Sequence, residues 1–361
     1  MFHFSTRNAL LPSAALTILL GLSACGGGGG SDDTTASAAA AGAAAVTGSG
    51  AAAGAAAVTG SGAAAGAAAG TITTALSTKA LGLTDQRASP TATPNVVRLV
   101  GFDIATPNTL TTNVPIATAP GVGTAAFAAN EWIFGMDYRP ADGLLWGLTN
   151  RGRLYTIDPS TGVATFKVAL IADPAALGFT GLDASTSVSV DFNPVLDRMR
   201  VVTFIGQNLS INVSSGATAE QTAAPVIATP PAPFSGYSWV AGVAYSNSFA
   251  GAASTTLYTI NNQNDNLSTQ TPPAGGTQTA VGGLTVAIGD VQGFDIAGST
   301  NQLALAALSP DGATGPHALY NINLNNGVAT LRGSSLAASQ IGGAAGLPLV
   351  DIAIRPGLFV D

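Results

Sequence analysis

The sequence predicts an all-β protein, a β-propeller of five four-stranded blades, because two short apolar phrases alternate along it five times each. The first phrase ends in Asp or Asn before a turn, at Leu99–Asp103, Leu154–Asp158, Leu209–Asn212, Leu257–Asn261 and Leu319–Asn323. The second occurs at Gly135–Tyr138, Val190–Phe192, Gly242–Tyr245, Gly293–Ile296 and Ile352–Ile354. A strand-based repeat of this kind is the signature of a propeller or an array.

The length of the repeat fits one propeller blade. The central residues of the second phrase are 54, 53, 51 and 58 residues apart, at Asp137, Asp191, Ala244, Asp295 and Ala353. This spacing leaves room for four short strands and their turns. In the first complete unit, the strands are predicted at Ile133–Arg139, Leu144–Thr149, Arg153–Asp158 and Ala164–Leu170.

The two ends of the repeat region complement each other. Ala80–Asp85 is similar to the second strand Leu145–Asn150, and a third strand and a fourth strand follow it without any first strand before it. Leu349–Arg355 is a first strand with no others after it. Closing the ring removes two exposed sheet edges. We therefore predict that residues 79–361 form the propeller, with one blade built from one C-terminal and three N-terminal strands.

The composition agrees with this fold and excludes one class of partner. Glycine (45 residues) and proline (20) are abundant, and charged residues make up only 9%. The net charge is −7, and it becomes −8 when Arg7 is removed with the N-terminal segment. There is no cluster of basic residues, so nucleic-acid binding is excluded and anionic headgroups are poor partners for the domain itself.

Residues 1–25 resemble a bacterial lipoprotein signal peptide. The apolar stretch Ala9–Leu22 is 14 residues long, shorter than the roughly 20 that span a bilayer. It leads into Leu22–Cys25, which places the chain's single cysteine where acylation requires it. The alternative is an ordinary signal peptide with a chance cysteine. We expect Cys25 to anchor the protein in a membrane of the bacterial cell envelope, and the resemblance to other lipoproteins implies that Gly26 after it favours the outer membrane.

Residues 26–78 are a low-complexity tether rich in glycine and alanine. A twelve-residue unit, Ala41–Ala52, is repeated at Ala53–Ala64. Glycine interrupts each alanine block at a cost of about 1 kcal/mol per residue, and each block is too short for an isolated helix. We expect a flexible spacer with a root-mean-square span on the order of 40 Å.

A search for catalytic and cofactor motifs is mostly negative. Phosphate-loop, dinucleotide-binding and zinc-cluster patterns are absent, so no cofactor is predicted. His317 is the only histidine beyond the signal peptide, and we expect it to be a solvated loop residue. The chain has only two glutamates, Glu131 and Glu220, which leaves few acid/base candidates. The scarcity of such candidates favours a protein that is not an enzyme.

Asp137, Asp191 and Asp295 occupy equivalent places on three of the five first strands, which should line the central channel. Converging carboxylates could bind a cation or serve as general acid and base. Alternatively, each could accept backbone N–H bonds, or pair with Arg139 or Arg355, and so lock one blade to the next. The second alternative is favoured, because Ala244 and Ala353 replace the carboxylate in the other two strands.

Two further groups of polar residues have simpler explanations. The Asx residues that end the first phrase should cap the following turn through its backbone; they are Asp103, Asp158, Asn212, Asn261 and Asn323. The segment Asn261–Asn266 offers several oxygens for calcium, but it lacks the spacing and the glycine of an EF-hand loop. A polar hairpin turn is the favoured prediction there.

Several segments resemble, in order, the bacterial domain of unknown function 4394. They are Phe134–Pro140, Gly152–Gly162, Val190–Val202, Gly206–Leu209 and Ala244–Tyr258. The resemblance covers about Lys79–Pro356. It implies a secreted or surface-exposed propeller-like domain, and it implies no reaction and no catalytic residue.

Two functions follow as hypotheses. The first is a tethered binding or scaffolding module whose loops bind a glycan or a protein. Tyr237 and Trp239 are the candidate contact aromatics, because they follow an irregular proline-rich segment. Trp132 and Trp146 lie in or beside strands and can be core residues. The second hypothesis is a glycan-active hydrolase or lyase that uses the channel aspartates.

Overall fold

A computed structural model describes residues 79–84, 96–176, 178–221, 238–289, 292–298, 301, 303–310 and 315–355 of the 361-residue chain. The predicted signal peptide with Cys25, the predicted tether and Tyr237 lie outside these ranges. Within them the chain forms 22 strands, arranged in five sheets.

The first strands belong to the blade that closes the ring. They are β1 (Lys79–Thr84), β2 (Arg98–Asp103) and β3 (Leu110–Pro115), followed by the short β4 (Ala117–Thr118). Blade 1 then consists of β5 (Ile133–Tyr138), β6 (Leu145–Thr149), β7 (Arg153–Ile157) and β8 (Val163–Ala169). After the short β9 (Ile171–Ala172), blade 2 consists of β10 (Val188–Asn193), β11 (Arg198–Thr203), β12 (Asn208–Ile211) and β13 (Ala217–Glu220).

Blades 3 and 4 repeat the same antiparallel arrangement. Blade 3 consists of β14 (Val240–Tyr245), β15 (Leu257–Asn261), β16 (Asn266–Gln270) and β17 (Gln278–Gly283). Blade 4 consists of β18 (Gly293–Ala297), β19 (Leu303–Leu308), β20 (Ala318–Ile322) and β21 (Ala329–Leu331). A four-residue helix, α1 (Leu336–Ser339), precedes the last strand, β22 (Leu349–Ile354). Within the described ranges no helix is long and apolar enough to cross a bilayer.

The last strand completes blade 5, in the order β22-β1-β2-β3. Ala80 on β1 pairs with Ile354 on β22 and with Phe102 on β2. The predicted closure by N-terminal strands is therefore confirmed, as is the five-bladed all-β fold. Because β22 joins a sheet formed by the other end of the domain, neither end leaves an unpaired first or second strand.

Two sheets have a fifth strand that the sequence analysis did not predict. β4 pairs in parallel with β8, and β9 pairs in parallel with β13. In each case the chain leaving one blade runs along the outer strand of the next. Gly162 and Gly216 permit this close approach, because they adopt φ of 73° and 75° and a Cβ there would lie 2.3 and 2.1 Å from a carbonyl oxygen.

The core lies between the blades. Every residue of β19 is buried, since both faces of the sheet are covered by neighbouring blades. Phe294 and Ile296 of blade 4 belong to the same buried cluster as Ala244 and Ile260 of blade 3. The inner strands β5, β10, β14, β18 and β22 contact one another around the ring. Each inner strand runs from what we call the upper face to the lower face.

Candidate functional site

Three of the inner strands bring their aspartates together at the centre of the ring. One carboxylate oxygen from each of Asp137, Asp191 and Asp295 lies within 4.8 Å of the others. All three residues are buried, with 2–3% of their surface exposed. The alternation of side chains along each strand aims these positions at the neighbouring inner strand.

Each of these carboxylates accepts a hydrogen bond from the backbone of another blade's inner strand. Asp137 Oδ2 accepts from Phe192 N at 2.9 Å, and Asp191 Oδ1 accepts from Tyr245 N at 3.1 Å. Asp295 Oδ2 accepts from Ile354 N at 2.5 Å. In each case the N–H donor is the residue that follows the aligned position of the other strand; the donors Phe192, Tyr245 and Ile354 follow Asp191, Ala244 and Ala353. Such bonds satisfy N–H groups that a propeller would otherwise bury unpaired.

A fourth carboxylate, Asp351 on β22, has the same role and was missed in the sequence. Asp351 Oδ2 accepts from Met136 N at 3.0 Å. It lies two residues before Ala353, at the position that Ser189 occupies in blade 2, where Ser189 Oγ accepts from Val243 N at 2.7 Å. The signal that could have found it is an acidic residue inside an otherwise apolar strand, aligned two residues early.

Burial dominates the electrostatics of the channel. It raises the pKa of Asp137, Asp191 and Asp351 well above the usual range, and it raises the pKa of Asp295 to about 7. The neighbouring carboxylates add to the rise for Asp137 and Asp191. Among the described residues, none forms an ion pair with the four aspartates. Arg139 instead pairs with Asp142 at 2.9 Å and with Asp197, so the predicted alternative of a pair with Arg139 is wrong.

The arrangement suits a structural role better than a catalytic one. Carboxylate oxygens are the ligands that Ca²⁺ prefers, and Asp137, Asp191 and Asp295 are close enough to share a cation. Both oxygens of Asp137 are already engaged, however, because Oδ1 accepts from Tyr138 N at 2.6 Å. A general acid also needs access to its substrate, and these three residues expose only 2–3% of their surface.

A buried arginine lies beside the channel, between blades 2 and 3. Arg200 is 3% exposed and pairs in register with Asp191 across β10 and β11. Its guanidinium donates to Tyr245 Oη at 3.1 Å, Asn208 Oδ1 at 2.7 Å and Gln221 Oε1 at 2.5 Å. The acceptors are neutral, so Arg200 ties two blades together without neutralising a carboxylate by direct contact.

The Asx residues at the strand ends have the predicted capping role. In all five, the side-chain oxygen accepts the N–H of the residue two positions later at 2.8–3.0 Å; they are Asp103, Asp158, Asn212, Asn261 and Asn323. These bonds form Asx turns. The Asn261–Asn266 segment thus contains a turn between β15 and β16.

His317 corrects the expectation of a solvated loop histidine. The residue is 3% exposed, and its Nδ1 accepts a hydrogen bond from Leu349 N at 3.2 Å. It lies just before β20, beside β22, the inner strand of blade 5. Its burial makes it part of the packing between blades 4 and 5.

Of the aromatic candidates, the structure describes Trp239 and not Tyr237. Trp239 is half-buried next to Phe204, with ring centroids 5.2 Å apart. Its backbone φ is 56°, a left-handed conformation that is uncommon for a bulky residue. Trp146 is buried, and Trp132 packs against the core of blade 1. Both fit the core alternative.

The lower face carries two adjoining cavities of about 620 and 260 Å³. They share Tyr138, Pro159 and Arg355 and lie where blade 1 meets blade 5. Their walls mix apolar and hydroxyl side chains, such as Val163 and Thr111. This concave surface is separate from the buried carboxylates.

The fold and the channel define a closed five-bladed propeller whose inner strands are joined by buried side-chain acceptors. Residues 98–345 match the family described as Domain of unknown function (DUF4394), and the chain belongs to that family. No curated protein matches the chain.

Solved structures show only distant similarity to this chain. A protein of unknown function from Bacteroides thetaiotaomicron is 13% identical, with a TM-score of 0.44, and the match covers 73% of this chain and 60% of that one. An auxiliary nutrient binding protein from Bacteroides ovatus is 15% identical, with a TM-score of 0.29 and coverage of 52% and 44%. BamB from Moraxella catarrhalis is 16% identical, with a TM-score of 0.24 and coverage of 56% and 53%. This chain therefore spans less than two thirds of the length of these proteins.

Proposed function

We propose that this protein is a lipid-anchored component of the bacterial cell envelope whose propeller is a binding or scaffolding module. The observation that carries the proposal is the state of the channel. The aspartates, which are the best candidates for chemistry, are buried and accept backbone N–H groups from other blades. The channel therefore stabilises the ring, and recognition falls to the surface.

The anchor part of the proposal rests on the sequence before the domain. Cys25 follows a short apolar stretch, and a 53-residue tether separates it from residue 79. Two or three acyl chains hold a protein on a membrane far better than one. We expect labelled palmitate to be incorporated into the wild-type chain and not into Cys25→Ala. The anchor proposal is contradicted if the wild-type protein incorporates no label and if the wild type and Cys25→Ala are retained in the membrane to the same extent.

A glycan-active hydrolase or lyase is the second candidate. One observation favours it: three carboxylates converge within 4.8 Å, and their pKa values are raised by burial, as general acids require. The same cluster could instead be a calcium site.

One experiment separates these alternatives. Thermal melts of the full chain and of Asp137→Asn, Asp191→Asn and Asp295→Asn are recorded with and without millimolar Ca²⁺, alongside turnover of a glycan panel. The binding proposal expects no calcium-dependent shift and no turnover. Turnover that the three variants abolish would overturn it in favour of the second candidate, and a calcium-dependent rise in Tm that all three variants lose would show that the aspartates form a calcium site.

A further inference from the structure

We propose that the upper-face corner between blades 2 and 3 is a binding site for a neutral saccharide, an inference that rests on the proposed binding function. The corner consists of six residues. Thr186, Ser187 and Phe204 come from blade 2, and Trp239, Asn262 and Gln263 come from blade 3.

Backbone contacts hold these residues on one continuous surface. Phe204 N donates to Ser187 O at 3.0 Å, and Asn262 N donates to Trp239 O at 3.1 Å. The rings of Phe204 and Trp239 connect the two blades. Ser238 reinforces the junction, because its N and Oγ both donate to Phe204 O, at 2.8 and 3.1 Å. The corner is therefore built on rigid strand ends and not on a single loop.

Four side-chain oxygens in the corner are buried without a hydrogen-bond partner among the described residues. They are Thr186 Oγ1, Ser187 Oγ, Asn262 Oδ1 and Gln263 Oε1. A buried acceptor without a donor costs about 1–3 kcal/mol, so native proteins rarely retain one without a reason. The residues themselves are half-buried, which places the corner at the surface. A ligand that supplies donors there, as these side chains rotate outward, recovers the lost free energy.

Blade 1 contains the same corner in a completed form. Asn150 is the counterpart of Asn262, since Asn150 N donates to Trp132 O at 3.1 Å just as Asn262 N donates to Trp239 O. In blade 1, however, Asn150 Oδ1 accepts from Trp132 N at 3.1 Å, and Asn150 Nδ2 donates to Asn130 O at 3.1 Å. The fold thus allows an asparagine at this position to form hydrogen bonds with the backbone of its own blade. Among the described residues, Asn262 Oδ1 in blade 3 forms no such bond.

The chemistry of the corner selects the ligand class. None of its six residues carries a charge, so an anionic or cationic ligand would find no counter-ion in it. Amide and hydroxyl oxygens accept O–H donors, and an aromatic ring packs against the apolar C–H face of a sugar. The φ of 56° at Trp239 is a strained conformation for a bulky residue, of the kind that is found at binding and switch sites. A neutral saccharide supplies both the O–H donors and the apolar face.

The test measures binding of neutral hexasaccharides to the full chain by calorimetry. The probes are maltohexaose, cellohexaose, xylohexaose and chitohexaose, with hexagalacturonate as the charged counterpart and hexaglycine as the peptide counterpart. Asn262→Ala and Gln263→Ala each remove one acceptor, and Asn150→Ala is the matched control in blade 1. We expect at least one neutral probe to bind, about tenfold weaker binding by each blade 3 variant, and unchanged affinity in the control.

The results that would contradict the saccharide site differ from those that would contradict the proposed binding function. If a neutral probe binds equally well to the wild type and to both blade 3 variants, this corner is not the site, although the binding function stands. If hexagalacturonate or hexaglycine binds and the neutral probes do not, the ligand class is wrong. If none of the probes binds at about 10 mM, the four oxygens hold only water and the inference fails, whereas the calcium and turnover assays judge the proposed function independently.

Discussion

The upper corners of blades 1 and 3 begin from the same backbone pairing and end differently. In blade 1, the Asn150 side chain accepts one backbone hydrogen bond and donates another. The adjacent Glu131 carboxylate accepts hydrogen bonds from Arg153 Nη1 at 2.8 Å and from Thr149 Oγ1 at 2.7 Å. In blade 3, Asn262 and Gln263 each have a side-chain oxygen that accepts no hydrogen bond from the described part of the chain. One corner therefore contributes stability, and the other forgoes it. Natural proteins usually leave local stability unused at sites that serve binding.

The channel gives the same contrast for charge and yields the largest predicted effect. The Glu131 carboxylate forms a salt bridge with Arg153, whereas the four channel aspartates form none with any described residue. Asp295 holds its proton to about pH 7 in the folded state, against an ordinary value of 3.8. The folded state therefore binds more protons between these values, and stability falls as the pH rises through them. The shift of Asp295 alone corresponds to about 4 kcal/mol, at about 1.4 kcal/mol per pKa unit.

Urea denaturation of the full chain at pH 4.5 and pH 8 measures this effect. We expect the free energy of unfolding to be lower at the higher pH, and the difference to shrink in Asp295→Asn, which cannot ionise. A wild-type protein that is equally stable at both values, or more stable at pH 8, would show that the channel carboxylates are ionised without strain.

The second prediction tests the completed corner of blade 1. Replacing Glu131 with Ala leaves Arg153 beside unpaired groups and removes the acceptor of Thr149 Oγ1 and Ala128 N. Because the Glu131 side chain is fully buried, we expect a loss of about 3 kcal/mol in denaturation experiments. Glu220, the other glutamate, is the control: it is half-buried and forms no salt bridge with any residue that the structure describes, so Glu220→Ala should change stability by less than about 0.5 kcal/mol. Equal losses in the two variants would mean that the Glu131 network contributes nothing specific.

A comparison of two channel aspartates isolates the value of one hydrogen bond. Asp137 uses both oxygens, on Tyr138 N and Phe192 N, whereas Asp191 uses only Oδ1, on Tyr245 N. Asparagine has one oxygen, so Asp137→Asn places an amide N–H₂ against a backbone N–H. Both variants remove one ionisable carboxyl group from the same cluster. We therefore expect Asp137→Asn to be about 1–3 kcal/mol less stable than Asp191→Asn at the same pH. If the two melting curves coincide, the second hydrogen bond of the Asp137 carboxylate does not stabilise the protein.

The repeat explains which features the sequence could predict. The strands, the closure of blade 5 and the five Asx turns depend on local pattern, and five copies of that pattern reinforce each other. The sequence analysis missed Asp351 because this residue lies two positions before the aligned position of the other channel aspartates. Its carboxylate accepts a backbone N–H of the neighbouring inner strand equally well from there. The burial of His317 depends on Leu349, 32 residues away. The unpartnered oxygens beside Trp239 depend on one backbone angle and on how two blades meet, and neither is visible in the order of residues.

The smallest predicted effect compares the two asparagines directly. Asn150→Ala removes the acceptor of Trp132 N and the donor to Asn130 O, so we expect a loss of about 1.5 kcal/mol. Asn262→Ala removes an oxygen that has no partner among the residues that the structure describes, so the stability of this variant should change by less than about 0.5 kcal/mol or rise slightly. Chemical denaturation of both variants with the wild type provides the measurement. A loss in Asn262→Ala as large as that in Asn150→Ala would show that the blade 3 oxygen is hydrogen-bonded in solution. The two corners would then be equivalent, and blade 3 would have no unused acceptor to offer a ligand.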